Sequence, residues 1–183
     1  MDAESPSERE VIEARYQEDK VSISDKDDLS FLNERGYGEL DKENHILVLA
    51  PYETLYLALD KKLKTLNSET ESELGVPELL ERFHLKDPEI WTRYLVYRDL
   101  RDRGYVVREG FGFGIDFRVY DRGEYGKKAA KYVVFGINEG NPIQISKIAQ
   151  VLSYVKSLKR DLILAVIDRR GEVVYYSVFE MVP

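Results

Sequence analysis

The spacing of the apolar residues changes near residue 105, and this change constrains the fold more than any other feature. Before it, apolar residues recur at helical spacing from Glu89 to Arg103, and Gly104 follows as a residue typical of helix ends. After it come segments rich in β-branched and aromatic residues, which predict strands. These segments are YVVREG, DFRVYDRG, KYVVFGI, LILAVIDRRG and EVVYYSVFEM.

One further helix interrupts these strands. The segment ISKIAQVLSYVKSLKR repeats its apolar residues on one helical face and lies between the third and fourth strands. The predicted order is therefore α, β, β, β, α, β, β. We expect a mixed β-sheet with helices on one side, because each sheet must bury an apolar face. Arg169, Arg170 and Gly171 are expected to form the turn between the last two strands.

The first half of the chain predicts a smaller domain. Residues 1–20 are polar and charged, and we expect a polar tail there. Residues 21–85 hold short strands such as Val21 to Ser24, and a helix that begins at Pro51. The predicted fold class is therefore α+β (α/β), with this small α+β domain followed by a C-terminal domain over residues 89–183. Helices are expected to flank the mixed sheet of that second domain.

Composition limits the possible chemistry. The chain has 183 residues, no cysteine, and two histidines, His45 and His84, so it offers no thiolate metal site and few ligands for an imidazole one. We expect no metal and no cofactor. The net charge of −7 means that RNA binding would require a local basic face. No long apolar run or apolar leader occurs, so we expect a cytoplasmic protein with no membrane association.

Four segments together resemble one family. They are RYLVYRDLRDRGYVV, FGIDFRVYDRG, KYVVFGI and SLKRDLILAVIDRRGEVVYYSV, and the similarity covers roughly residues 89–180. In this order they are similar to the archaeal tRNA-splicing endonucleases. A weaker similarity covers Leu29 to Leu66, where RGYGEL and LAPYETLYLAL resemble the small N-terminal domain of that family. The resemblance implies an endonuclease-like C-terminal domain.

The resemblance also implies a reaction. Enzymes of this family cut pre-tRNA at a bulge–helix–bulge without metal, by attack of the RNA's own 2′-hydroxyl on the adjacent phosphate. The products are a 2′,3′-cyclic phosphate and a 5′-hydroxyl. A tyrosine serves as general base, a histidine as general acid, and a lysine stabilises the charge that develops on the phosphate.

The three catalytic positions of the family are not equally preserved in this sequence. Tyr120 stands at the tyrosine position, at the end of DFRVY. Counting back from Tyr132 places the histidine position at Ala129, whereas counting forward from Tyr120 places it at Ala130. Either residue lacks a proton to donate. Arg160 stands at the lysine position, and arginine keeps the charge but changes its geometry.

Two further positions depart from the family pattern. Ser153 stands where the family often has a base-stacking arginine, and Gly112 stands where it has a lysine. Together the departures favour a structural, non-catalytic subunit. Its RNA-binding residues are expected to be Arg160, Lys159 and Lys128.

The resemblance further implies an assembly. A structural subunit pairs with a catalytic subunit, and two such heterodimers form a heterotetramer that acts on pre-tRNA. Pairing is expected through the last strand, from Val173 to Phe179, by edge-to-edge hydrogen bonding. A loop before that strand, with Asp168 and Glu172, corresponds to an acidic docking loop, although two arginines interrupt it. The expected interface residues are Asp168, Glu172, Val174, Tyr176 and Val178.

Two alternatives remain open. One is an active tRNA-intron lyase with an unorthodox site, which uses Tyr120, Arg160 and either Lys128 or Lys131. The other is an RNA-binding or protein-interaction module derived from the same fold. Its basic strip would consist of Arg98, Arg101, Arg103 and Arg108.

Overall fold

The computed structural model describes residues 11–112 and 114–181. The chain divides into two compact units, of residues 1–90 and residues 91–183. Each unit contains its own β-sheet and helices, with six strands in the first sheet and five in the second. The predicted α+β fold, with an N-terminal and a C-terminal part, is confirmed.

The first unit is built on a sheet whose strand order is β3-β4-β2-β1-β5-β6. Strands β1 and β5 are parallel, and the other neighbours are antiparallel. Its elements are β1 (Ile12–Gln17), β2 (Lys20–Ile23), α1 (Lys26–Glu34), β3 (Glu39–Asp41), β4 (Ile46–Leu49), α2 (Pro51–Leu59), β5 (Leu63–Asn67), β6 (Glu73–Leu74) and α3 (Val76–Lys86).

The structure has strand β1 where the sequence predicted a polar tail. Residues 12–17 lie inside the sheet, between β2 and β5, so the prediction is wrong for this segment. Ile12, Ala14 and Tyr16 are buried and alternate with more exposed residues. The alternation is that of a half-buried strand, but the charged residues on its other face concealed it in a sequence reading. Residues 1–10 lie outside the described residues.

A buried carboxylate joins the two segments that resemble the family's N-terminal domain. Glu53 is 3% exposed and accepts hydrogen bonds from the backbone N–H groups of Gly38, at 3.0 Å, and Ala50, at 2.8 Å. Gly38 has φ of 64°, and a Cβ there would lie 2.6 Å from Cγ of Leu47. Only glycine tolerates both the positive φ and the close approach of Leu47. This explains the second glycine of RGYGEL, whose N–H group bonds to Glu53 in the helix PYETLYLAL.

Replacing Glu53 tests the importance of this carboxylate. Glu53→Ala leaves two backbone donors without their acceptor, so we expect the free energy of unfolding to fall by about 2–4 kcal/mol. Glu53→Gln keeps one acceptor oxygen and should cost less. The control is Glu73→Ala, because the Glu73 side chain is 62% exposed. Urea unfolding measures all three, and equal stability of Glu53→Ala and Glu73→Ala would contradict the role.

The second unit contains a sheet with the strand order β11-β10-β9-β8-β7. Strands β9 and β10 are parallel and the other neighbours antiparallel, so the predicted mixed sheet is confirmed. No helix within residues 11–112 and 114–181 has the length and apolar character needed to cross a membrane. The elements are α4 (Ile90–Asp102), β7 (Val106–Gly112), β8 (Ile115–Tyr120), β9 (Tyr132–Asn138), α5 (Ile145–Ser157), β10 (Asp161–Ile167) and β11 (Val173–Val178).

The helices α4 and α5 cover opposite faces of this sheet, so the expectation of helices on one side is wrong. A Cβ on Gly136 would lie 3.6 Å from Val96 of α4, and Asn138 Nδ2 donates to Thr92 Oγ1 at 2.8 Å. Phe135, the neighbour of Gly136, points to the other face. There it belongs to the cluster formed with α5, which consists of Ile115, Val133, Phe135, Val151, Val155 and Leu162.

Candidate functional site

The sheet of the second unit brings the three predicted catalytic positions to one edge. Strand β8 ends where β9 and β10 begin, because β8 is antiparallel to β9 and β9 is parallel to β10. Backbone hydrogen bonds join the segments, from Lys131 N–H to the Val119 carbonyl at 3.1 Å and from Asp161 N–H to the Lys131 carbonyl at 3.3 Å. We call this region, the end of β8 and the starts of β9 and β10, the site edge.

Tyr120 ends β8 and is half-buried at the site edge. Its ring meets that of Tyr125 edge-on, with 5.2 Å between the ring centroids and 86° between the planes. The Arg108 guanidinium lies 6.0 Å from the Tyr125 ring centroid. Tyr125 is therefore an aromatic neighbour of Tyr120, and Arg108 in turn lies over Tyr125. Sequence reasoning missed Tyr125, because nothing in GEYGKK distinguishes it from an ordinary loop residue.

The two candidate histidine positions differ in burial. Ala130 is 4% exposed, whereas Ala129 lies on the surface. A side chain at residue 129 can therefore extend into solvent, whereas one at residue 130 must fit among packed atoms. This distinction could not be read from the sequence, since both residues are alanine.

Arg160 lies directly before β10 and is partly exposed. Its Nη1 donates to the Lys159 carbonyl at 3.2 Å, so one nitrogen of the guanidinium is hydrogen-bonded within the turn before β10. Lys159 is exposed and has φ of 55°, a left-handed conformation that ends α5 and directs the chain into β10. The structure therefore places two cations, Arg160 and Lys159, at the site edge.

The two lysines of the alternative active site are held by carboxylates. Lys128 Nζ pairs with Glu124, and this hydrogen bond raises the pKa of Lys128 above its usual value. Tyr132 chiefly raises the pKa of Lys131, and the carboxylates of Asp121 and Asp161 add to the effect. Raised pKa values make both ammonium groups weaker acids at neutral pH. In the part of the chain that the structure describes, no His, Asp or Glu cluster of three or more could hold a metal ion.

The predicted docking loop is organised around one carboxylate. Asp168 Oδ1 accepts hydrogen bonds from the backbone N–H groups of Arg170, at 2.8 Å, and Glu172, at 2.9 Å. The Asp168 carboxylate is therefore used within its own turn, as in many Asp-initiated turns. Glu172 is exposed and remains the acidic side chain of the loop that faces solvent.

Strand β11 forms one edge of the sheet and presents an apolar face. Val174 and Tyr176 are 51% and 54% exposed. Val178 is partly buried and packs against the α5 cluster. Among the predicted interface residues of this strand, Val174 and Tyr176 are therefore the most exposed.

The arginines of the predicted basic strip each lie over an aromatic ring of the same unit. The guanidinium carbon of Arg98 is 5.8 Å from the ring centroid of Tyr94, and that of Arg101 is 5.9 Å from that of Tyr97. Arg103 lies 5.3 Å from the Tyr175 centroid. Arg108 completes the series over Tyr125. Each arginine therefore has a packing contact within the unit, and its presence can be explained without RNA binding.

Comparison with known proteins agrees with this architecture. The model of the tRNA intron endonuclease N-terminal domain matches residues 12–80, and that of the catalytic C-terminal domain matches residues 90–175. The chain is 39% identical over 176 residues to a tRNA-splicing endonuclease of Methanococcus vannielii, covering 92% of this chain and 94% of that protein. It is 34% identical over 144 residues to a tRNA-splicing endonuclease of Pyrococcus furiosus, covering 79% and 81%. The chain belongs to the tRNA intron endonuclease family.

The difference between the two alanines gives a testable prediction. Ala130→His should lower the free energy of unfolding by about 1–3 kcal/mol, because the imidazole must enter a packed site. Ala129→His should change it by no more than about 0.5 kcal/mol, because its side chain extends into solvent. Urea unfolding of both variants measures the difference. Equal costs would mean that residue 129 is no better placed than residue 130 to present an imidazole.

Proposed function

We propose that this chain is the structural subunit of a tRNA-splicing endonuclease that removes introns from pre-tRNA at bulge–helix–bulge sites. Family membership and the names of its relatives support the coarser part of the proposal, participation in tRNA splicing. The observation that carries the finer part is the alanine at both candidate positions of the catalytic histidine, Ala129 and Ala130.

The chemistry of the site edge favours a non-catalytic role. Loss of a general acid costs about 10²–10⁴ in rate. The neighbouring cations, Lys128 and Lys131, have raised pKa values and replace the acid poorly. Arg160 and Lys159 keep positive charge where the phosphate would lie, so we propose that they, together with Lys128, hold RNA and do not cleave it.

The exposed edge of the second sheet supports the proposed assembly. Strand β11 has one neighbour in the sheet, β10, so its other backbone edge has no strand partner among residues 11–112 and 114–181. An apolar edge strand that is left uncovered promotes association with another strand. We propose that β11 pairs with the equivalent strand of a catalytic subunit, and that two such heterodimers form the working heterotetramer.

Cleavage of a bulge–helix–bulge RNA without divalent metal tests the proposed function. This chain, a catalytic subunit with intact tyrosine, histidine and lysine, and their mixture are assayed in parallel. We expect rapid cleavage by the mixture, in which the two subunits assemble, and no cleavage by this chain alone. A substrate with a 2′-deoxy nucleotide at the cleavage position is the control, because it lacks the attacking hydroxyl.

The variant Tyr120→Phe in this chain separates the proposal from the alternative active site. If the chain is structural, the mixture should cleave within about twofold of the unmodified rate. If Tyr120 is a general base, the loss should reach about 10²-fold or more. Cleavage by the purified chain alone, abolished by Tyr120→Phe or Arg160→Ala, would show that the chain is itself an enzyme.

A surface substitution tests the proposed pairing strand. Tyr176→Asp places a charge on the exposed face of β11, and we expect it to weaken association with the catalytic subunit by about tenfold or more. The control is Leu85→Asp, which changes a residue that is 78% exposed in the first unit. Analytical ultracentrifugation of each mixture measures the association. An equal effect of both substitutions would argue against β11 as the interface.

A further inference from the structure

A cavity of about 420 Å³ opens on the α4 face of the second sheet. Its floor consists of Leu100, Val119 and Val134, of which none is more than 5% exposed. We call it the tyrosine cavity, because three tyrosines contribute to its wall. The remaining lining residues are Arg103, Tyr105, Tyr132, Ile163, Tyr175 and Ser177.

The tyrosine cavity lies on the face of the sheet opposite to Tyr120. Val119 and Tyr132 are partners across β8 and β9, so both side chains lie on the same face. Tyr120 follows Val119 in the strand and therefore points to the opposite face. The cavity and the Tyr120 side chain thus lie at one end of the sheet but on different faces of it.

One carboxylate organises two of the side chains that line the cavity. Asp99 Oδ2 accepts a hydrogen bond from Nε of Arg103 at 2.7 Å and another from the Tyr175 hydroxyl at 2.7 Å. Burial chiefly raises the pKa of Tyr175, and the bond to Asp99 adds to it, so the hydroxyl remains a donor. Arg103 is nevertheless 54% exposed, and Arg122 donates to its carbonyl at 3.1 Å. The guanidinium of Arg103 therefore lies at the rim of the cavity.

These features match the chemistry of a nucleotide. The volume is within the range of small-molecule sites, about 300–1,000 Å³. Aromatic side chains stack on unpaired bases, and hydroxyl groups bond the polar edges of a base. A guanidinium at the rim suits a phosphate.

We propose that the tyrosine cavity binds one unpaired nucleotide of RNA, with its base against the tyrosine rings and its phosphate at Arg103. The choice of RNA over a free nucleotide rests on the proposed function. Asp99 already offsets part of the charge of Arg103, so stacking contributes more to binding than the ion pair does.

Titration of the isotopically labelled full-length chain tests the site by nuclear magnetic resonance. The probes are adenosine 5′-monophosphate, uridine 5′-monophosphate and a single-stranded RNA pentamer of each base. We expect chemical-shift changes at the lining residues, with the pentamers binding more tightly than the mononucleotides. Tighter binding of the mononucleotides would overturn the assignment to RNA, because a free nucleotide would then be the preferred ligand.

Substitutions of Tyr105 and Arg103 test separately how much base stacking and charge contribute to RNA binding. Tyr105→Leu should weaken pentamer binding by about 5- to 100-fold, whereas Tyr105→Phe, which keeps the ring, should retain most of it. Arg103→Gln should weaken binding less and reduce the slope of log affinity against log salt by about 0.7. The control is Tyr154→Leu, a partly buried tyrosine of α5 on the other face.

Three outcomes would overturn the proposal. One is a titration without shift changes at the lining residues, and another is equal loss of affinity in Tyr105→Leu and Tyr154→Leu. The third is protection of these residues on adding a catalytic subunit with no response to RNA, which would assign the cavity to a protein contact. The cleavage assay of the mixture is independent. Cleavage without nucleotide binding overturns this inference alone, and binding without cleavage in the mixture overturns the proposed function alone.

Discussion

The position of β9 at the centre of the second sheet determines most of what this unit can do. Val133, Val134 and Phe135 follow one another in the strand, and each is at most 6% exposed. Consecutive buried residues point to alternate faces, so both faces of the strand require cover. Helices α4 and α5 supply it from opposite sides. The parallel pairing of β9 with β10 in turn requires a crossover, and α5 lies within that connection.

The same pairing determines where chemistry could take place. Since β8 ends where β9 and β10 begin, three segments that are distant in the sequence meet at the site edge. By its resemblance to the family, we propose that Tyr120 stands at the position of the base, Arg160 at the position of the cationic lysine, and an alanine, Ala129 or Ala130, at the position of the acid. Positive charge without an acid suits the holding of a phosphate better than the breaking of its ester bond.

The two faces of the sheet also divide the surfaces that a partner or RNA could use. On the α5 face, Val174 and Tyr176 expose apolar surface along an edge strand. On the α4 face, the tyrosine cavity combines an apolar floor with Arg103 at its rim. Because side chains alternate along β11, Tyr175 and Tyr176 serve different surfaces. One strand can therefore contribute to a subunit contact and to a nucleotide site at the same time.

The sequence by itself determined the order of helices and strands in the second unit, because a change in apolar spacing reports local structure directly. It also supplied the hypothesis that an alanine stands at the histidine position, through motifs that lie close to that position in the chain. Strand β1 escaped this reading, because Glu13 and Arg15 lie on its more exposed face and made a strand resemble a tail.

Only the tertiary structure decided which face each helix covers and that Ala130 is buried while Ala129 is not. It also assembled the tyrosine cavity from residues between 100 and 177, which no local pattern connects. The physical reason is the same in each case. Burial and proximity depend on which distant segments pack together, and local spacing does not report those contacts.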